Sequence, residues 1–295
     1  MANLGGVLVE AAPAKLNLSL AVTGKRPDGF HELLSLVVSL SLADHLAMHV
    51  GQPLSLTCDD ASLPVDETNL VMKAVQAYRR HQPDCVLGRL HLTKKIPHGA
   101  GLGGGSSDAA ATLRLLDRAA PSPLGFEKLE EIAALVGSDC PYFIRGQSAI
   151  MRGRGERLEP LPEAARQALL GHRVWVIKPP FGISTPEAYA ALADSGAYQP
   201  ADKAQSRLAA WLKHPSGDPS VLGNDLQPAV FSKYLALSAA SESLLKIHGV
   251  EFRLTGSGSA CFALVSADLD AVPVFDYVKK AWGPGAWTVD TRISA

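Results

Sequence analysis

The run Lys94-Lys95-Ile96-Pro97-His98-Gly99-Ala100-Gly101-Leu102-Gly103-Gly104-Gly105-Ser106-Ser107-Asp108-Ala109-Ala110-Ala111 constrains this chain more than any other part of it. A strand-like segment, Arg89–Ile96, enters a loop with five glycines in seven residues, Gly99–Gly105. The loop leaves through two serines into an alanine-rich helix, Ser107–Ala119. Glycines let a backbone turn sharply and let a ligand approach it closely. The helix behind them aims its unpaired N–H groups and the positive end of its dipole into the loop. That order of elements makes a cradle for an anion, most often a phosphate.

Two common nucleotide loops fail on single residues. A P-loop closes with Gly-Lys-Ser/Thr, its lysine reaching the outer phosphates, but Gly105 is followed by Ser106. A Rossmann fingerprint needs a third glycine where Ser106 stands, and an acidic residue ending the next strand; Gly125–Val136 reads instead as a helix. A plain surface loop explains the glycines, yet neither their place between strand and helix nor the paired serines.

Size and charge narrow the rest. The 295 residues suit one large domain or, as expected here, two ordinary ones. With 47% hydrophobic and 19% charged residues the chain can bury a core. A formal net charge of -1 gives no bulk attraction to nucleic acid or to anionic lipid, and neither is expected as a partner. Met1–Ala12 lacks a basic segment followed by an apolar core, so no signal peptide is expected and the cytoplasm is the expected compartment. The apolar run Leu33–Leu42 is too short to span a membrane and reads as a buried strand. Cys58, Cys85, Cys140 and Cys261 are scattered, as reduced thiols would be, and the nine histidines show no zinc-type spacing.

Along the chain, Val7–Ala12 and Lys15–Val22 read as two strands separated by Pro13, and Thr23–Gly29 as a loop. Leu33–Leu42 and Leu54–Cys58 follow as strands. Thr68–Gln82 is helical by its apolar spacing, with Asp66 and Thr68 as candidate caps. Ser148–Met151 reads as a strand. Arg152–His172, rich in Arg, Glu, Pro and Gly, is expected to bury little and to hold the boundary between domains 1–160 and 161–295. Beyond it lie strand Val174–Ile177, helices Thr185–Asp194, Ala201–Lys213 and Ala229–His248, strands Glu251–Leu254 and Ala260–Val265, helix Asp268–Ala281 and strand Ala286–Thr291. Apart from an insertion around Gly196–Asp225 the order is β-α-β-β-α-β, the split βαβ arrangement.

Three segments carry a family resemblance. Pro97-x-x-x-Gly101-Leu102-Gly103 with Ser106-Ser107 and alanines resembles the phosphate loop of the GHMP kinase superfamily, with Gly104 and Gly105 inserted before the serines. Ala12-Pro13-Ala14-Lys15-Leu16-Asn17-Leu18, with Gly29-Phe30-His31 after it, resembles the N-terminal signature of the branch that phosphorylates a cytidylyl-bearing methylerythritol alcohol. Val136-Gly137-Ser138-Asp139-Cys140-Pro141 resembles the Gly-Ala-Asp-Val-Pro segment that holds the family's catalytic aspartate. Asp108 stands where many relatives carry asparagine.

The resemblance implies an α+β fold of two domains, the N-terminal one like the second domain of ribosomal protein S5 and the C-terminal one ferredoxin-like. It implies an ATP-dependent kinase with Mg²⁺, with ATP and acceptor bound between the domains, acting on the 2-hydroxyl of the cytidylyl substrate in non-mevalonate isoprenoid synthesis. In that reading Asp139 accepts or orients the hydroxyl proton, and Lys15 sits beside it and offsets developing charge. Pro97, His98, Gly99, Ala100, Gly101, Leu102, Gly103, Gly104, Gly105, Ser106 and Ser107 wrap the ATP phosphates, one of the serines reaching Mg²⁺. Lys94 and Asn69 contact the nucleotide. Phe30 and Tyr189 stack on the cytosine and His31 reads it, while Asn17 and Thr185 complete the substrate site.

Taken singly, several of these have ordinary explanations. Lys15 could snorkel to the surface, Asp139 could be a turn carboxylate, and Gly256-Ser257-Gly258-Ser259 is either a tight turn or a third family loop facing the site. Another GHMP kinase of homoserine or mevalonate type, or a catalytically silent nucleotide-binding regulator on the same fold, remain the alternatives. No metal ligand set and no oligomeric state is legible.

Overall fold

From Lys15 to Leu20 lysine, asparagine and serine alternate with leucine. In a half-exposed strand that pattern turns one face to water, but here both faces are buried, Leu16, Leu18 and Leu20 on one and Lys15, Asn17 and Ser19 on the other. These residues belong to β1, Val7–Lys25. The computed structural model describes residues 6–215 and 219–294; the opening of Met1–Ala12 and part of the Gly196–Asp225 insertion lie outside the described residues. β1 is one strand where two were expected. Pro13 does not break it, because among the named strands β1 pairs with β2 alone, and a strand with a free edge tolerates a missing N–H.

The chain divides into two compact units, each assembled from several segments. Unit 1 comprises Met1–Ala14, Leu42–Ile96 and Gly103–Gln147; unit 2 comprises Lys15–Ser41, Pro97–Leu102 and Ser148–Ala295. β1 and the second strand, β2 (His31–Val50), give residues to both.

In unit 1, β3 (Ser55–Cys58) runs parallel to β4 (Gly88–Thr93), which pairs antiparallel with the His45–Val50 part of β2. Four helices join them: α1 (Leu70–Arg79), α2 (Gly104–Ala119), α3 (Phe126–Val136) and α4 (Cys140–Arg145), with α2 packed on the other three. The cap of α1 is Asn69, its side chain accepting from Val71 N, while Asp66 closes the turn before it through Thr68 N. α2 begins three residues earlier than its alanines suggest.

In unit 2, β5 (Ala149–Gly153) pairs with Leu33–Val37 of β2 and with β6 (Arg157–Pro160). α5 (Glu163–Leu169) follows. The segment expected to bury little therefore folds, with Leu161, Ala165 and Leu169 in the core. A second, antiparallel sheet has the order β10-β7-β9-β8: β7 (Arg173–Lys178), β8 (Arg253–Leu254), β9 (Cys261–Val265) and β10 (Trp287–Arg292). With α10 (Val272–Trp282) between β9 and β10, this is the split βαβ arrangement. α6 (Thr185–Ser195) and α7 (Ala201–Lys213) lie in the β7–β8 connection. The single helix expected over Ala229–His248 is two, α8 (Leu226–Lys233) and α9 (Leu235–His248), because Tyr234 takes φ -106° and ψ 73°, outside the helical region. Trp175, Ile177, Leu237, Leu244, Phe252 and Val278 centre the core. Among the described residues no helix is long and apolar enough to cross a membrane.

Candidate active site

The glycine loop enters α2 through Gly103, which takes the left-handed conformation at φ 72° and acts as the helix N-cap. Gly104 and Gly105 are the first two helical residues, and what they supply is space. A Cβ on Gly104 would lie 3.0 Å from Ile96 Cγ2 and 3.4 Å from Lys94 Nζ, and one on Gly105 3.3 Å from Leu70 Cδ1. The first turn of α2 thus presses against the end of β4 and the start of α1. Ser106 and Ser107 follow in that turn, beside the helix's free N–H groups. Ser106 is hydrogen-bonded to the Cys140 thiol, which burial pushes up to about 11. Ser107 Oγ is fully buried and has no hydrogen-bond partner among the described residues.

Beneath this turn sits a buried charge cluster that sequence reasoning assigned otherwise. Lys94 Nζ is ion-paired with Asp44 and, at 2.7 Å, with Asp108. Asp44 also accepts from Lys95 N and Ile96 N. Burial pulls the Lys94 ammonium down, but the two carboxylates outweigh it and hold the group above its ordinary value. Burial, with Asp44 adding to it against the pull of Lys94, pushes the Asp108 carboxyl up to about 7. The structure places Lys94 as an internal counter-ion of Asp44 and of Asp108 in α2. Asn69, the other residue expected at the nucleotide, spends its amide locally, accepting from Val71 N and donating to Pro64 O at 2.7 Å.

In unit 2 the preceding residues of the loop, Pro97–Leu102, meet the glycine turn Thr255–Ser259. Ala260 N donates to Ala100 O, and a Cβ on Gly101, at φ 77°, would lie 2.8 Å from Thr255 O. Leu102 O accepts from Lys15 N. Pro97 is partly buried, His98 and Gly99 are exposed. The turn Gly256-Ser257-Gly258 is therefore more than a connection: Gly256 leaves room for Asn17 Oδ1, 3.1 Å from where its Cβ would stand, and for Lys15 Nζ at 3.4 Å.

Lys15, at 7% exposure, donates to Asn17 Oδ1. Asn17 Nδ2 donates to Ser35 Oγ at 2.8 Å, Ser35 Oγ donates to Ser19 O, and Asn17 N donates to Thr255 Oγ1. Residues 15, 17 and 19 share one face of the strand, so a row of polar side chains runs through the interior and fixes the ammonium. Asn17 is one residue that orients Lys15. At the start of α6, Thr185 Oγ1 and Ser257 Oγ are 2.9 Å apart; Ser257 was not expected, since nothing in a Gly-Ser-Gly-Ser run distinguishes one serine.

Of the expected aromatic residues, His31 and Tyr189 come together, and Tyr198 joins them. His31 stacks on Tyr189 with ring centroids 4.8 Å apart, and Tyr198 closes over it at 5.9 Å, its Oη 3.3 Å from His31 Nε2. Burial, helped by Lys25, lowers the pKa of His31. Phe30 is exposed, its ring under the Arg154 guanidinium at 5.1 Å.

Asp139, in unit 1, is the residue immediately before α4, half-buried and making no capping bond to that helix. Its carboxylate is thus not consumed in closing the turn. α4 itself is anchored from α2: Arg114 donates to Phe143 O, to Ala11 O at 2.8 Å and to Glu10 at 2.8 Å. Among the described residues no three His, Cys, Asp or Glu form a metal-binding group.

Known proteins are similar to this chain in sequence and in fold. The family profile for the GHMP kinases N terminal domain matches residues 69–147, and that for the GHMP kinases C terminal matches 201–283. A 4-diphosphocytidyl-2-C-methyl-D-erythritol kinase of Synechococcus sp. (strain CC9605) is 39% identical over 274 residues, 88% of either chain. The kinase of that name from Rhodopseudomonas palustris is 35% identical over 300 residues, 95% of either chain. A crystal structure of 4-(cytidine 5'-diphospho)-2C-methyl-D-erythritol kinase superposes with a TM-score of 0.74 at 32% identity, covering 97% of this chain and 99% of that one. A homoserine kinase from Cytophaga hutchinsonii, TM-score 0.67 at 18% identity, shares the fold.

Proposed function

The chain belongs to the 4-diphosphocytidyl-2-C-methyl-D-erythritol kinases of the GHMP kinase family, and we propose from that premise that it moves the γ-phosphoryl of ATP onto the 2-hydroxyl of 4-diphosphocytidyl-2-C-methyl-D-erythritol. This is a step of the non-mevalonate route to isoprenoids, carried out in the cytoplasm. The observation that carries the proposal is the ammonium of Lys15, buried in a strand interior and oriented by Asn17 beside the glycine turn and the phosphate loop. Phosphoryl transfer needs fixed positive charge where the transferred group passes, and a buried lysine held by hydrogen bonding supplies it.

In this reading residues 1–160 carry the nucleotide and residues 161–295 form the GHMP C-terminal domain. The loop Pro97–Ser107, through its backbone N–H groups from His98 onward, and the N-terminus of α2 hold the ATP phosphates. As the Pβ–O–Pγ bond breaks and the acceptor oxygen bonds to Pγ, the hydroxyl proton passes to Asp139. An aspartate is a weak base for an alcohol, which is tolerable because the transition state is loose and positioning dominates. Lys15 offsets charge on the transferred group. Phe30 and Tyr189 take the cytosine ring, His31 reads its edge, and Thr185 with Ser257 at the start of α6 receives the diphosphate.

The residues fit a Mg²⁺ carried by the nucleotide rather than an all-protein cage. Ser107 offers one hard oxygen without a protein partner among the described residues, and the phosphates supply the rest. Bound there, the cation would neutralise charge on the β- and γ-phosphates.

The test is ADP release with ATP and Mg²⁺ against three acceptors: the cytidylyl alcohol, homoserine and mevalonate. Turnover on the first alone is expected. Turnover on homoserine or mevalonate without the cytidylyl alcohol overturns the proposal, and no turnover on any of them supports a silent regulator.

A further inference from the structure

Tyr198 lies between α6 and α7, in a stretch with no motif, and nothing in the reaction so far uses it. It is partly buried against the unit 2 core, and its segment is tied to β1 by Gln199 N donating to Val22 O at 3.0 Å. Its hydroxyl faces the imidazole of His31 with Oη 3.3 Å from Nε2, while the other side of that imidazole is stacked on Tyr189. The ring of His31 is thereby held by two tyrosines, and one of its two nitrogens is committed to a hydroxyl.

That commitment has a chemical consequence. A neutral imidazole carries one N–H donor and one bare acceptor nitrogen, and the partner of one fixes the character of the other. Burial, with Lys25 adding to it, lowers the His31 pKa and so favours the neutral imidazole. A tyrosine hydroxyl can accept from Nε2–H, which leaves Nδ1 an acceptor, or donate to a bare Nε2, which makes Nδ1 a donor. The two pyrimidines differ where this matters: cytosine presents an exocyclic amine, a donor, where uracil presents a carbonyl oxygen, an acceptor. A donor at Nδ1 would suit oxygen atoms that both bases share. At the exocyclic position an acceptor at Nδ1 separates them, taking the amine of cytosine and refusing the carbonyl oxygen of uracil.

We propose that Tyr198 is a positioning residue for substrate choice: its hydroxyl accepts the Nε2–H of His31, holding Nδ1 as the acceptor that selects the cytosine amine over the uracil carbonyl. The inference rests on the cytidylyl reading above. It assigns Tyr198 no contact with the reacting atoms, so its loss changes selection and leaves the chemical step intact.

The experiment uses the full chain and Tyr198→Phe, which keeps the ring and its packing and removes only the oxygen. Two readouts are taken. The first is kcat/KM on the cytidylyl acceptor and on its uridylyl counterpart. The second is the ¹⁵N chemical shifts of the His31 ring, in protein labelled at histidine and assigned with His31→Gln. The wild type should show the Nε2–H tautomer, and Tyr198→Phe should lose that preference. The variant should also raise KM on the cytidylyl acceptor, hold kcat, and lower the preference for cytidylyl over uridylyl by about three- to tenfold, the scale of one lost hydrogen bond. An Nδ1–H tautomer in the wild type overturns the proposal, as does an unchanged base preference in a variant that melts like the wild type. A wild type that does not phosphorylate the cytidylyl acceptor overturns the functional reading and this inference with it. A wild type that does, with a variant that selects as before, removes the inference alone.

Discussion

Asp108 gives the phosphate helix a stability that falls with pH. Its carboxyl is 3% exposed, one turn into α2, and shares the single ammonium of Lys94 with Asp44. Asp44 is the better satisfied of the two, with Lys95 N and Ile96 N donating to it. Asp108 Oδ1 has no hydrogen-bond partner among the described residues. Burial therefore dominates at Asp108 and moves its pKa from 3.8 to about 7.

The sign follows from proton counting. Between those two values the native state holds a proton on Asp108 that the unfolded chain has released, so native stability declines as pH rises. The decline starts near pH 4, ends near pH 7 and continues no further. At about 1.4 kcal/mol per pH unit, the full effect is about 4 kcal/mol, and the part between pH 5 and 7 is about 3 kcal/mol. Asp108→Asn keeps the shape, leaves Lys94 one carboxylate, and removes the titration. The difference in unfolding free energy, variant minus wild type, should grow by about 3 kcal/mol between pH 5 and pH 8. Urea denaturation followed by far-UV circular dichroism measures it. Tryptophan fluorescence does not serve, because Trp175, Trp211, Trp282 and Trp287 all lie in unit 2. Parallel pH curves for the two proteins would falsify the argument, since every other titrating group cancels in the difference.

Asp139→Ala should lower kcat by about 10²- to 10⁴-fold while ATP still binds, the cost of removing a proton acceptor; undiminished turnover takes Asp139 out of the mechanism. Asn17→Ala releases the Lys15 ammonium from its anchor. Steady-state ADP release should show kcat down about 10- to 100-fold with acceptor KM little changed, and an unaltered kcat means Lys15 holds its place without Asn17. Gly101→Ala forces a Cβ to 2.8 Å from Thr255 O at φ 77°. It should cost about 1–3 kcal/mol in thermal unfolding and raise the KM for ATP; a variant that melts and binds like the wild type shows that the two loops part easily.

The order of strands and helices in the C-terminal half was readable because period-2 and period-3.6 patterns there are short and bounded by glycine and proline. Reading failed where one residue outweighed a pattern. Pro13 looked like a break and is tolerated because, among the named strands, β1 pairs with β2 alone. Tyr234 divides a helix that the apolar spacing carries straight through. The Lys15–Asn17–Ser19 row was legible as one face of a strand, but its burial depends on Ser35 and Thr255, far away in the chain. The resemblance put Lys94 and Asn69 at the nucleotide; their polar atoms are engaged with Asp44, Asp108, Val71 and Pro64, contacts that no local pattern announces. Tyr198 had no signal at all, because its hydroxyl meets a histidine 167 positions away.

The glycines of the loop show why local reading has this limit. One letter serves two physical ends within five residues. Gly101 and Gly103 take left-handed φ values, so a side chain there strains the backbone itself. Gly104 and Gly105 are ordinary helical residues that any amino acid could adopt, and they are small because Ile96, Lys94 and Leu70 press against them. The second pair is therefore coupled to its neighbours: a Cβ on Gly104 would crowd Ile96, whose N–H donates to Asp44, and would touch the Lys94 ammonium that pairs with Asp44 and Asp108. The two inserted glycines bring the start of the phosphate helix close to a buried charge cluster, so the identity of residue 108 and the size of residue 104 are parts of one electrostatic arrangement.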